Sequence, residues 1–326
     1  LVPAVRTRPL AWRTPQFLPS ETVRRLLQRD PARGVLSLVL QWMAIFAIAA
    51  LSELFWHPAL YLLAALLIGG RQVALMLVVH EGVHNTLLKN RRWNDRIAEW
   101  FAAWPILMPY RSYRRIHREH HLYLGTPKDP DFARNRPDRL TEASGLAGVV
   151  RLLLGFEGRQ VAVRRFWGPG DPEAEREGFA WRPALRVAAY LAVVAGAYAF
   201  GGLRLLALYW LVPLLWFLVA MRLKGIAEHF AVPAHSHLNQ SRTFKPSFLA
   251  SLLVTPLHAE YHIEHHLYPG VPHYRLPDLH KELARLPEYA DEAHISTAYS
   301  DFLRECVALY RGARVAPAAP QTSADL

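Results

Sequence analysis

The 326-residue chain holds one cysteine, Cys306. An intramolecular disulfide is therefore impossible, as is a thiolate-bound metal cluster, and whatever chemistry the protein performs works without sulfur ligands. Acidic residues are also sparse: 27 Asp and Glu face 38 Lys and Arg, for a formal charge of +11. Such an excess would suit nucleic acid, but no zinc-finger spacing or aromatic–basic RNA motif accompanies it, so no nucleic-acid partner is expected. There is no dinucleotide glycine fingerprint, no cysteine set for an iron–sulfur cluster and no His-Pro-Gly-Gly haem segment. His57 begins His-Pro-Ala-Leu instead. Seven arginines precede residue 35 without a short apolar run and cleavage site after them, so no secretory signal is expected. The chain begins at Leu1, and a natural start upstream is expected.

What the chain does have is apolar residues, 52% of the total, gathered into long uncharged runs with charge filling the rest. Residues 35–52 carry no charge and continue to Trp56, long enough to cross a ~30 Å hydrocarbon core at ~1.5 Å per residue. After His57-Pro58 a second run, 59–79, is broken by Arg71 and Gln72. Arg71 is either functional or snorkels to the surface. A long basic stretch follows, 85–182. Within it, residues 97–109 (IAEWFAAWPILMP) and 145–156 (GLAGVVRLLLGF) are too short to span and are expected to lie at the interface. Residues 187–203 and 205–221 are uncharged, with Arg204 between them and Gly201-Gly202 beside it, the pattern of a helical hairpin with a glycine turn; residues 247–254 are again too short.

The expected fold is all-α: four transmembrane helices in two hairpins beneath a cytosolic helical cap. Residues 1–34 form a cytosolic N-terminal segment, 35–310 the membrane domain with its cap, and 311–326 a disordered tail. The basic N-terminal segment and the 85–182 loop contrast with nearly uncharged hairpin tips, which places both termini and the loop in the cytoplasm. A soluble protein with four buried helices is the alternative.

Three histidine groups stand out among sixteen His: HEGVH at 80–84, HREHH at 117–121 and HIEHH at 262–266. On that topology all three fall on the cytoplasmic side, as does His229, just past the fourth run. A helix advances about 100° per residue, so H-x-x-H-H points three imidazoles into one sector and H-x-x-x-H points two. The groups supply His80, His84, His117, His120, His121, His262, His265 and His266, and His229 makes nine donors. One zinc needs three or four ligands. Nine nitrogens suit two metals of higher coordination number, and two irons with open positions for O2 fit a thiolate-free membrane site. His57 lies on the wrong side. His235, His237, His258, His273, His280 and His294 show no pattern, although His258 could stand behind the ligands. A rival reading takes HEGVH as H-E-x-x-H of a zinc intramembrane metalloprotease with Glu81 as general base; it leaves the other two groups without a role. A metal-handling protein that is not an enzyme is a further alternative.

The three ordered boxes, GTPKDPDF after the second and HHLYPGVPHYRLPDLHKEL from His265 resemble the membrane fatty acid desaturase superfamily over roughly residues 35–310. The resemblance implies a helical membrane domain whose cytosolic cap holds a His-bound di-iron centre. Such a centre activates O2 and removes hydrogens from unactivated C–H bonds. The eight box histidines would be ligands, and His229 resembles the extra ligand between the last span and box three. The acyl-CoA branch has an Asn one turn before that ligand. Gly225 stands there in this chain, and the form of box three is more like the acyl-lipid branch. The expected reaction is acyl-lipid desaturation, with hydroxylation or ketolation of a carotenoid, alkane or other apolar lipid as the alternative. The substrate would enter a tunnel between the spans. Asp129 and Asp131 would orient ligand histidines or cap a turn. Electrons must come from a separate carrier, a ferredoxin or small cytochrome, steered by the Arg-rich face. The protein is expected in a bacterial inner membrane or its equivalent.

Overall fold

The computed structural model describes residues 17–132, 182–230, 232–234, 236–302 and 304–305. The segment 145–156, the tail after Gly312, His235 and Cys306 lie outside the described residues.

After a short helix α1, Ser20–Leu26, the chain reaches Asp30. Asp30 Oδ1 accepts from the Ala32 and Arg33 N–H groups at 3.0 and 3.3 Å, and Pro31 occupies the position where no N–H is needed, so α2 starts there and runs Pro31–Leu54. The device repeats at the tip: His57 Nδ1 accepts from Ala59 N–H at 3.2 Å ahead of Pro58, and α3 runs Pro58–Val83. Helix α4, Arg91–Ala98, widens into a π turn over Glu99–Ala103. Then come α5, Tyr110–Tyr123, and α6, Arg182–Ala199. Helix α7 runs Leu203–His229. Beyond it lie β1 (Thr243–Phe244), α8 (Phe248–Leu253), α9 (His262–Leu267), α10 (Leu276–Leu283), α11 (Pro287–Glu292) and β2 (Ile295–Ser296). The two strands pair in parallel, Thr243 opposite Ile295.

Among the described residues three helices, α2, α3 and α7, are long and apolar enough to cross a membrane, not the four expected from the sequence. The correction lies in the third run. The uncharged run 187–203 extends past the turn at Gly201-Gly202, whereas the helix ends at Ala199 and Gly201 takes φ +67°. What remains, Ala184–Ala199, is about 24 Å of helix, short of a ~30 Å core. The outer face of α2 carries Leu36, Met43 and Phe46 at 52, 60 and 65% exposure. A soluble protein would cover such a stripe, whereas lipid solvates it.

Helix α3 is the axis. Ile68, Val73, Leu75, Met76, Val78 and Val79 are buried among α2, α7 and the π turn. In lipid, spans associate through close packing and polar contacts rather than release of water. Gly70 shows the packing: a Cβ there would sit 2.7 Å from Leu252 O, so the end of α8 rests on the α3 backbone. Arg71, next in sequence, donates to Leu252 O at 2.5 Å and to Gln41 Oε1 at 3.1 Å. It does not snorkel; it satisfies the C-terminus of α8.

Pro213 has no N–H to give, and α7 widens into a π turn over Ala207–Leu211 just before it. Carbonyls of that turn find donors on α3: Tyr61 Oη reaches Leu208 O at 3.3 Å and Gln72 Nε2 reaches Trp210 O at 2.9 Å. The expected interfacial segment 97–109 is pegged in the same way. Trp42, Tyr190 and Trp210 donate to the carbonyls of Phe101, Trp104 and Pro105 at 2.8–3.0 Å. Trp100 and Phe101 remain exposed. A second core unites α1 with α9–α11 through Leu18, Leu26, Ile263, Leu267, Leu279 and Tyr289 and forms the cap.

Candidate metal centre

Helices α3 and α7 end at the same level, beside α5 and α9, and that shared end collects the histidines. His80 and His84 lie one turn apart at the end of α3. Gly82 between them lets α4 press close, since a Cβ there would meet Ala98 Cβ at 2.3 Å. Asn94 Nδ2 then donates to Gly82 O at 2.7 Å and fixes the turn. His117, His120 and His121 share the inner face of α5. His229 is the last residue of α7, and α9 carries His262, His265 and His266.

All nine converge, in two neighbouring groups. In the first, the ligand atoms of His80, His84, His117, His121 and His265 lie within 4.8 Å of one another. His84 and His117 Nε2 are 2.8 Å apart, His121 and His117 Nε2 3.0 Å, and His265 and His121 Nε2 3.1 Å. The second group holds His120, His229 and His266, and His262 joins it through His229. His262 Nε2 is 2.8 Å from His229 Nε2 and 3.1 Å from His266 Nε2, while His120 Nε2 is 3.2 Å from His229 Nε2.

Both groups fit a cation. Burial pushes His84 down to about 3, aided by the field of Arg114. Burial, with repulsion between neighbouring imidazoles, holds His117, His121, His262, His265 and His266 well below the ordinary histidine range. The rings are therefore neutral near pH 7, the form that binds metal. Their Nε2 atoms crowd at 2.8–3.2 Å, with no thiolate among them and one carboxylate, Glu228, grouped with His229 and His262; a shared cation would relieve that crowding.

Carboxylates stand behind the rings. Asp129 Oδ1 accepts from His120 Nδ1 at 2.9 Å, and the Asp131 and Gly125 N–H groups hold that carboxylate at 2.9 and 3.3 Å, so Asp129 both orients a histidine and caps a turn. Glu228, absent from the sequence reading, lies 3.4 Å from His262 Nδ1 and pairs with Lys224. The signal was there: an i,i+4 charge pair closing an apolar run. Glu264, inside box three, points away from the rings and accepts from Thr243 Oγ1 at 2.7 Å, from Tyr289 Oη at 2.6 Å and from His280. Glu81 accepts from Thr86 Oγ1 at 2.8 Å and from His273 N–H at 3.1 Å, and belongs to neither donor group. His258 is half exposed beside Glu260 and does not reach the rings. His57 caps α3 at the opposite end.

The Fatty acid desaturase family model matches residues 54–298. The chain belongs to the fatty acid desaturase family. It is an enzyme of the histidine-box di-iron oxidoreductases, with the integral-membrane character that its spans carry. Its similarity to dihydrorhizobitoxine desaturase of Bradyrhizobium elkanii is 32% identity over 285 residues, 82% of this chain and 80% of that one. Human sphingolipid delta(4)-desaturase/C4-monooxygenase is 28% identical over 82% of this chain and 78% of its own. A beta-carotene ketolase of Paracoccus is 26% identical over 68% of this chain and 79% of its own. The desaturase-family match takes in all three boxes and His229, the nine positions that meet in the two groups.

Proposed function

We propose that this enzyme is an O2-dependent acyl-lipid desaturase with two irons held by His80, His84, His117, His121 and His265 on one side and His120, His229, His262 and His266 on the other. The observation that carries the reading is the convergence of nine imidazoles, five buried and four half-buried, without thiolate, at the shared end of apolar spans. When bound, an iron pair activates O2 and removes hydrogens from an unactivated C–H bond, which no side chain here can do by acid–base means. The chain's own work is to supply nitrogen donors and to seat an apolar chain that enters from between the spans.

Introducing one double bond while reducing O2 to two waters consumes two electrons beyond those of the substrate. A ferredoxin or small cytochrome would deliver them. Arg91, Arg92, Arg96 and Arg118 lie at the histidine end, whereas Arg204 at the opposite tip is paired with Glu53 at 2.6 Å. That asymmetry favours a cytoplasmic histidine end and an acidic donor.

Both the 32% and the 28% relatives carry desaturase in their names, which favours desaturation; the ketolase matches support ketolation of an apolar lipid as the second reading. The test is iron content of the purified protein together with lipid profiles of expressing cells. About two irons per chain and a new unsaturated lipid are expected. A new keto or hydroxy lipid would select the second reading, and one zinc without iron would end both.

A further inference from the structure

Lys224 and Glu228 are one turn apart on α7, both buried and ion-paired with each other. Burying two charges at the end of an apolar span is costly, and an apolar pair of similar volume would pack there at less expense in free energy. Their neighbour explains why they are present. Glu228 Oε1, the oxygen that takes Lys224 Nζ, faces His262 Nδ1 at 3.4 Å. That is the ring nitrogen opposite Nε2, the atom that meets His229 and His266 at 2.8 and 3.1 Å. A carboxylate at Nδ1 selects the tautomer with its proton on that nitrogen, fixes the ring's rotation and strengthens Nε2 as a donor.

We propose that Glu228, clamped by Lys224, is a positioning residue for the four-imidazole subsite and acts through His262. The inference rests on the di-iron reading above. Glu228 belongs to the same helix as His229, so one stretch of α7 presents a ligand to this subsite and also orients a second ligand from α9.

The test uses full-length protein in detergent loaded with Mössbauer-active iron, comparing wild type, E228Q and the double variant K224M/E228Q. The double variant leaves no buried lysine unpaired and so separates the contact to His262 from loss of charge balance. Iron per chain and Mössbauer doublets are read, with size-exclusion profiles as the check on folding. Wild type is expected to hold about two irons. In both variants one doublet is retained, and the other shifts and loses roughly ten- to a hundred-fold in affinity. Two irons with unchanged doublets in E228Q would overturn the proposal and leave the di-iron reading standing. Equal loss of both irons in both variants would also overturn it, because the pair would then be holding the fold. A wild type that binds no iron pair overturns the di-iron reading itself, and this inference with it.

Discussion

The backbone N–H of His273 donates to Glu81 Oε2 across 3.1 Å, so the glutamate of the first histidine box is tied to the loop that follows the third. Thr86 Oγ1 completes the tie at 2.8 Å. Glu81 is thereby a strut between α3 and the cap. Both bonds end on Oε2, so in E81Q an amide oxygen in that place still accepts both, without the carboxylate's charge. Metal content is expected to stay at the wild-type value, with a stability loss of about 1–3 kcal/mol from the weakened contacts. Thermal unfolding and iron analysis check this. Complete loss of activity with iron and fold intact would show that Glu81 takes part in the chemistry and is more than a strut.

Asp129 supports His120 from behind at 2.9 Å. D129N keeps the shape but removes the charge. Metal affinity of the second group is expected to fall about ten- to a hundred-fold, read by competition with a chelator. Unchanged affinity would confine Asp129 to its turn.

Gly82 and Gly225 give opposite expectations from the same substitution. At Gly82 an added Cβ meets Ala98 Cβ at 2.3 Å; at Gly225 it meets nothing within 4 Å. G82A is expected to cost about 1–3 kcal/mol by overpacking and to disturb His80 and His84. G225A is expected to be neutral or slightly stabilising, since alanine outranks glycine in helices by about 1 kcal/mol. The melting temperatures of the two variants decide it.

Arg71 supplies the donors to Leu252 O and Gln41 Oε1. R71L leaves that carbonyl unsatisfied at membrane depth, at an expected cost of about 1–3 kcal/mol. Faster hydrogen exchange or proteolysis around residues 247–254 would report the freed α8. No change at α8 would show that its packing on Gly70 suffices.

Acid is expected to destabilise the metal-free protein. Burial lowers His273 to about 4 and His84 to about 3, whereas an unfolded histidine titrates near ~6.5. Below that value the unfolded chain binds protons that the folded chain refuses. Stability is therefore complete above pH ~6.5 and falls as pH drops toward the folded values, by up to ~1.4 kcal/mol per pH unit for each such histidine. Unfolding midpoints of chelated protein between pH 8 and pH 5 would show it; a flat profile would mean that these rings are hydrated in solution.

The local pattern of this chain determined a good deal by itself. H-x-x-H-H and H-x-x-x-H put their imidazoles on one helix face whatever the rest of the fold does, because 3.6-residue periodicity is a property of each segment alone. Apolar runs over 35–52, 59–79 (with Arg71 inside it) and 205–221 likewise announced helices matched to a bilayer, and each lies within a helix of spanning length. The count of spans was not legible: the glycine turn could be placed, but the uncharged run 187–203 extends through it, and hydropathy does not register that the helix before it stops at Ala199. Nor could spacing say that His120 parts from His117 and His121 to join His229, His262 and His266. The same holds for Glu228 and Asp129 reaching ring nitrogens while Glu81 and Glu264, inside the boxes, turn to the cap. Those pairings join segments up to 192 residues apart. They follow from how α3, α5, α7 and α9 pack at one end of the bundle, which is decided by close contacts such as Gly82 on Ala98 and not by the periodicity of any one helix.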